Sequence, residues 1–439
     1  MATQATALSP ARVSEKTEVD AIYHKINWRI VPIILFAYIL AFLDRINVGF
    51  TQLQMKQDLD FSDGVFGLGA GLFFITYLMF EVPSNLLLEK IGARYTFLRI
   101  MVLWGLTSAS MMFVSEAWHF YTLRLLLGIF EAGFFPGVIL YLTYWYPSSR
   151  RARVTGLFLF GMPITGVIGG PITSMIMSGM NGYLGFKGWQ WVFLIEGVPS
   201  VLMGFVTWAY LTDKPEQATW LTADEKRIVH AELQRDKAAL GDRQHGILAS
   251  LKDPKIWLLV LVYFCIIAAN SSLTFFAPTL VKGLGFTDPL SIGWIMAAIY
   301  LCGAAGMILN GRHSDHAKEE RLHCGVAALL GSVGIAAVAF IGNVPVLALP
   351  ALALAIVGTM SAIPVFWQLP NLFLSGSAAA CGIALINSIA NLAGFGAPWF
   401  LGTVKTQTGV FTSGLLTVAV IEALTIVLIL IFIPRKRVE

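Results

Sequence analysis

Long apolar stretches recur along the 439-residue chain, separated by short polar turns. Twelve can be marked, near 28–50, 64–88, 96–114, 118–141, 152–178, 189–211, 256–283, 291–313, 322–341, 345–367, 378–404 and 410–433. A helix rising about 1.5 Å per residue needs about 20 mainly apolar residues to cross the hydrocarbon core of a bilayer, so each stretch is long enough to span one. Stretches such as Val326 to Ile341 are apolar all round rather than alternating, which fits helices and not the strands of a closed barrel. The pattern predicts an all-α membrane protein with twelve transmembrane helices.

One polar stretch is long, 212–255, and it divides the chain into an N-terminal half (28–211) and a C-terminal half (256–433), with tails 1–27 and 434–439. It reads as a tether between two six-helix units. Within it Thr222-x-x-Glu225 matches a capping box, and Lys226 to Leu240 has helical composition, so a short surface helix is expected there. The halves echo each other. Glu89-Lys90-Ile91-Gly92-Ala93-Arg94 follows span two, and Gly311-Arg312-His313-Ser314-Asp315-His316 follows span eight. Two equivalent halves around a central site is the plan of a carrier that rocks between two access states.

Composition agrees. Hydrophobic residues make up 56% and charged residues 13%, against about 25% charged in soluble domains. Of the Lys and Arg residues, 24 fall in the tails, the linker and the loops on their side, 4 in the opposite loops, and Arg45 and Arg124 within spans. By the positive-inside rule both termini are expected in the cytoplasm, with the chain in the plasma (bacterial inner) membrane. No cleavable signal peptide is expected, because residues 1–27 are polar and the first apolar stretch carries Asp44 and Arg45. Cys265, Cys302, Cys324 and Cys381 show no metal or redox spacing and read as small packing residues. The net charge of +4 is scattered over short loops, which argues against a nucleic-acid partner. Neither H-E-x-x-H nor G-x-S-x-G occurs, and no G-x-x-x-x-G-K-[ST] loop, so an enzyme or a nucleotide-driven pump is not expected. A functional monomer without cofactor is.

An ionisable side chain at the centre of a span costs roughly 2.5–3.5 kcal/mol on insertion scales, so each should be paired or face a polar cavity. Asp44 and Arg45 lie deep in span one and Glu131 near the middle of span four. Neighbouring helical residues are separated by about 100°, so Asp44 and Arg45 must point differently. The simplest arrangement turns Arg45 to a central cavity, where its planar fork can grip a carboxylate, and Asp44 to an adjacent helix. Desolvation disfavours the charged form of Glu131, which suits it to exchange a proton. The alternative is that Arg45 merely neutralises a buried acid to hold the fold. Arg124 lies two turns before Glu131 on the same face, fit either for proton transfer or for anchoring near the surface. Glu81, Glu196 and Glu422 read as scaffold or gating groups. From the C-terminal half, Trp367 and Gln368 in span ten and Asn387 and Asn391 in span eleven could complete a pocket by hydrogen bonding, or could tie helices together.

The motifs resemble those of the major facilitator superfamily, and within it the anion:cation symporter family: Leu43-Asp44-Arg45-Ile46-Asn47-Val48-Gly49-Phe50, then Pro83-Ser84-Asn85 running into Lys90-Ile91-Gly92-Ala93-Arg94. Further hallmarks are Arg124 with Gly128, Glu131, Gly133, Pro136 and Gly137, and Gly188-Trp189-Gln190-Trp191 followed by Glu196-Gly197. Glu89 stands where the wider superfamily usually has Asp. The resemblance implies a major facilitator fold and proton-coupled symport of a small organic anion, with Asp44 and Glu131 as protonation sites and Arg45 as substrate ligand. It adds Tyr77 as a cavity tyrosine, Asn47 as a substrate-binding candidate, and Glu89, Arg94 and Asp315 as gating candidates. Sugar-acid members carry an amide near position 162. Met162 offers only a thioether, so the pocket suits an aromatic acid or a hydroxy-dicarboxylate, as in 4-hydroxyphenylacetate, tartrate and phthalate-type permeases. A sugar-acid symporter, or a uniporter or exchanger using Arg45 without protons, stays open.

Overall fold

The computed structural model describes residues 10–240, 252–342, 344–372 and 377–433. The expected 434–439 tail, the first nine residues and linker positions 241–251 lie outside the described residues, as do the side chains of Arg12, Lys16 and Cys381.

Among the described residues, twelve helices are long and apolar enough to cross a membrane: Thr17–Asp58, Asp63–Ile91, Ala93–Phe113, Ala117–Trp145, Ser148–Gly179, Gly188–Tyr210, Pro254–Gly283, Pro289–Ala317, Glu320–Ile341, Pro345–Phe366, Gly382–Thr408 and Thr412–Phe432. They are spans one to twelve below. Large apolar side chains such as Met79, Leu202, Phe340 and Val420 stand exposed on the outside of the bundle, as lipid-facing positions must. The first helix is longer than its apolar stretch, running Pro10–Asp58. The added turns are held because Ile22, Tyr23 and Ile26 are buried although the segment around them is polar.

Three spans are interrupted. Span four breaks after Glu131, where Ala132 turns extended and Gly133 adopts φ +88°. Span five is interrupted at Phe160, and span eleven at Asn391. Spans two and three are joined through Gly92 alone, at φ +88°. A Cβ at Gly92 would stand 2.7 Å from Asp213 Oδ2, and Asp213 Oδ1 accepts the Arg94 N–H at 2.9 Å. This turn is therefore capped by an acid from the far end of span six, in a conformation that L side chains rarely adopt.

An even number of crossings returns the chain to its starting side. Hydrogen bonds joining the two halves gather at the opposite end: Gln52 Nε2 donates to the Phe275 carbonyl, Lys282 Nζ to the Leu53 carbonyl at 2.8 Å, and Gly64 N–H to Thr406 Oγ1 at 2.8 Å. Small residues allow this approach, with Gly49 against the backbone of Thr274 and Phe275 and Gly170 against Gly293. One further bond lies deeper, from Ser388 Oγ to Glu81 Oε2 at 3.0 Å.

The linker is more than a tether. Thr222 N–H donates to Glu225 Oε2 at 2.7 Å and Glu225 N–H to Thr222 Oγ1 at 3.2 Å, the expected capping box, at the start of the helix Ala223–Leu240. That helix is fastened to the N-terminal half: Lys25 Nζ reaches Glu225 at 2.9 Å and Ser148 N–H donates to Asp236 Oδ2 at 2.9 Å. Ahead of the helix, Trp220 stacks on Trp145 with ring centroids 5.5 Å apart.

Candidate functional site

Span four packs closely on span two, where Thr76 Oγ1 donates to the Leu125 carbonyl at 2.8 Å and Gly128 lies against Phe73. The break that follows leaves Glu131 as the last residue of its helical segment. Its carboxylate is met by Arg45 from span one: Nε donates to Oε1 at 3.0 Å and Nη2 to the same oxygen at 2.5 Å. The other oxygen, Oε2, is buried without a hydrogen-bond partner. The Glu131 side chain is 1% exposed, whereas Arg45 keeps 23% of its side chain accessible. The guanidinium lies 5.1–5.4 Å from the ring centroids of Phe73, Phe42 and Tyr77, within range of cation–π attraction. Tyr77 thus stands beside Arg45. An arginine among aromatic faces, partly open and sharing a single carboxylate oxygen, has donors to spare for a second anion.

Asp44 points elsewhere, into span three. Ser108 Oγ donates to Asp44 Oδ1, and Trp104 Nε1 to Oδ2 at 3.2 Å. Asn47, one turn on, shares that face. Its Nδ2 lies 3.5 Å from Asp44 Oδ1 and donates to Glu196 Oε2 at 2.9 Å, while Thr173 Oγ1 donates to Glu196 Oε1 at 2.8 Å. Spans one, three, five and six are thereby joined through two buried carboxyls bridged by one amide. Asn47, expected among substrate contacts, is fully buried in this bridge. Glu196, read from sequence as a scaffold or gating group, accepts from Asn47, the neighbour of Asp44. Its intramembrane acid character was the available signal; its partner, 149 residues away, left no trace in spacing.

Arg124 is buried inside the protein, seven residues into span four. It is 1% exposed and donates from Nε to the Gly69 carbonyl at 3.1 Å and from Nη2 to the Ala70 carbonyl at 3.0 Å. Arg124 and Arg45 each lie 5.1 Å from the Phe73 ring.

On the other wall, the helix of span ten ends at Phe366, so Trp367 and Gln368 fall at and beyond its end. Trp367 packs edge-on to Tyr263 at 4.9 Å, and Gln368 Nε2 donates to Asp315 at 3.0 Å. Gln368, expected at the end of span ten as a pocket residue, thus lies just past the helix end and engages Asp315 at the end of span eight. Asn391 occupies the break of span eleven and donates to Asn387 through Nδ2, at 2.8 Å to the carbonyl and 3.2 Å to Oδ1. Met162 sits just past the interruption of span five, half-buried against the core. Glu89 is exposed at the end of span two, and Arg94 Nε donates to the Trp208 carbonyl at 2.8 Å. In span twelve Glu422 is wholly buried, accepting from Thr359 Oγ1 at 2.6 Å. Among the described residues no group of His, Cys, Asp and Glu could hold a metal ion.

The sequence matches the Major Facilitator Superfamily over residues 34–398. A protein of Agrobacterium vitis named "Putative tartrate transporter" is 47% identical over 398 residues, covering 91% of this chain and 91% of its own. "Putative metabolite transport protein NicT" of Pseudomonas putida is 43% identical over 419 residues, covering 95% and 96%. In structure, the xylose transporter XylE from E. coli in a partially occluded inward open conformation superposes with a TM-score of 0.76 at 13% identity, over 94% of this chain and 99% of that one.

Proposed function

Taking as premise that the chain belongs to the Major Facilitator Superfamily, we propose that it carries a small organic carboxylate together with protons by alternating access, with Arg45 as the anion ligand. The tartrate transporter among its relatives supports a hydroxy-dicarboxylate as first candidate; the thioether of Met162 and the aromatic rings around Arg45 leave an aromatic acid as the other.

The observation that carries the reading is the shared arginine. Arg45 donates twice to one oxygen of Glu131 and is the accessible partner of the two. A substrate carboxylate that takes the Nε and Nη2 donors now held by Glu131 displaces it, and an ionised Glu131 left alone in a buried site is costly. A proton on Glu131 removes that cost. Proton and anion thus favour each other's binding, and such a coupling is reciprocal. Asp44, bridged through Asn47 to Glu196, forms a second proton-holding site adjoining the first. With Arg45 neutralised by the anion and the acids by protons, the site loses the charge that opposes passage through an occluded state. Hydrogen bonds across the ends of the halves away from the termini support reading this state as closed on that side, and the Lys and Arg bias assigns the termini side to the cytoplasm.

Purified protein in proteoliposomes tests the proposal. Under an imposed proton gradient, labelled tartrate or 4-hydroxyphenylacetate should accumulate, and an uncoupler should abolish accumulation. Absence of both uptake and ligand-induced thermal stabilisation across hydroxy-dicarboxylates and aromatic acids would sink it.

A further inference from the structure

Away from the Arg45 site, spans two, three and four enclose a crevice of about 510 Å³. Its walls are apolar, from Phe80, Leu87, Leu103 and Phe130, and the surface around it, at Met79, Val82, Leu86 and Leu106, is exposed and apolar, so it opens toward lipid. Two cations line it, Lys90 in the last turn of span two and Arg99 in span three. Arg99 Nη2 donates to Ser84 Oγ at 2.6 Å. Among the described residues, neither cation forms an ion pair. A cation facing lipid without a carboxylate is an unfilled demand.

The arrangement is graded along the membrane normal. Lys90 stands at the helix end, and Phe80, ten residues earlier, lies about 15 Å deeper at about 1.5 Å per residue. Charge at the mouth and hydrocarbon below match an amphiphile with an anionic head. A free anion would use the two cations but gain nothing from the apolar depth. We propose that this crevice holds an anionic phospholipid of the leaflet on the termini side, its phosphate between Lys90 and Arg99 and an acyl chain along Leu87, Leu103 and Phe130. The site touches the transport machinery. Phe130 is adjacent to Glu131, and Ser84, which binds Arg99, is what a Cβ at Gly133 would meet, at 2.4 Å from Oγ. An occupant therefore bears on the break of span four that positions Glu131. The proposal rests on the chain spanning a bilayer and not on which solute it carries.

The test uses full-length protein in a neutral maltoside detergent, its thermal unfolding followed with added phosphatidylglycerol or phosphatidylcholine at equal mole ratio. Phosphatidylglycerol should raise the melting temperature several degrees beyond the phosphatidylcholine effect. The double variant Lys90→Gln with Arg99→Gln should lose that increment, and Arg99→Lys should keep most of it. Leu87→Trp, which fills the crevice without touching a charge, should lose it as well. Inorganic phosphate and glycerol phosphate should produce no shift. An equal response of the wild type to both lipids overturns the site. So does an increment that survives in the double variant or in Leu87→Trp, or one reproduced by phosphate alone, which would mark a free-anion site.

Discussion

Arg45 and Glu131 meet on a single oxygen: two donors of the guanidinium, at 3.0 and 2.5 Å, converge on Oε1 while Oε2 stays buried and unpartnered. A symmetric bidentate pair would satisfy both carboxylate oxygens and be harder to open. This one is held, but incompletely. It is suited to an exchange in which a second carboxylate replaces the first.

The exchange makes substrate affinity depend on pH. As pH falls, a proton taken up by Glu131 releases Arg45, so an acid that is still ionised should bind more tightly. The gain should fall in the roughly 5- to 150-fold range typical of coupled sites. In Glu131→Gln the competitor is permanently neutral, so affinity should be high and nearly independent of pH. Gradient-driven accumulation should vanish in this variant while counterflow of labelled substrate survives. Binding titrations at stepped pH check the first part and proteoliposome flux the second; unchanged concentrative uptake would rule out Glu131 as the coupling group.

Arg45→Lys keeps the charge and loses the planar fork. A lysine offers a point charge that cannot hold two oxygens in one plane, so affinity should fall by at least tenfold, about 1.4 kcal/mol. Calorimetric titration measures it directly. Near-normal binding would mean that charge alone, rather than fork geometry, recognises the anion.

How far the sequence foretold this site depends on whether each relationship is local. That Asp44 and Arg45 diverge follows from helix geometry alone, and the structure turns one to Trp104 and the other to Glu131. The capping box at Thr222 and Glu225 is likewise a matter of three residues, and was legible. The docking of that helix through Lys25, 200 residues from Glu225, was not. Nor was the bridge from Asn47 to Glu196, because apolar spans carry little amphipathic signal to say which face meets which neighbour. The contact of Gln368 with Asp315, 53 residues earlier, had no local mark either.

The Asn47 bridge predicts a stability effect. Asn47→Ala withdraws the amide from Glu196 and from the neighbourhood of Asp44 in a region closed to water. A buried group that loses its partner costs about 1–3 kcal/mol, so the melting temperature should drop by several degrees. Glu196→Gln should be tolerated better, since an amide oxygen still accepts from Thr173. If Asn47→Ala proved as stable as the wild type, the bridge would be an incidental contact.

At the linker, burial pushes the Glu225 carboxyl up, but the Thr222 N–H and the Lys25 ammonium outweigh it and hold the group below its ordinary value of 4.5. A carboxyl with a depressed folded value stabilises docking above the ordinary value, and that support is lost as pH falls through the folded one. The pair is partly exposed, so the effect should be modest and weakened by salt. Hydrogen exchange in Ala223–Leu240, corrected for intrinsic rate, should quicken in Glu225→Gln near neutral pH and in the wild type only in acid below pH 4.5. Equal protection in both proteins at neutral pH would show that the Ser148–Asp236 bonds and Trp220 stacking fix the linker without Glu225.

The break of span four offers the sharpest test of how the site is held. Gly133 has φ +88°, a left-handed conformation that costs an L residue roughly 1–2 kcal/mol, and its added Cβ would stand 2.4 Å from Ser84 Oγ. Gly133→Ala should therefore destabilise by both routes, backbone and contact. Adding Ser84→Gly removes the contact and leaves the backbone cost, so the double variant should recover part of the loss, and the two changes should not add. Additive losses would mean that the contact with Ser84 relaxes without cost. Because the same break sets where Glu131 meets Arg45, Gly133→Ala should also slow gradient-driven uptake more than it weakens substrate binding.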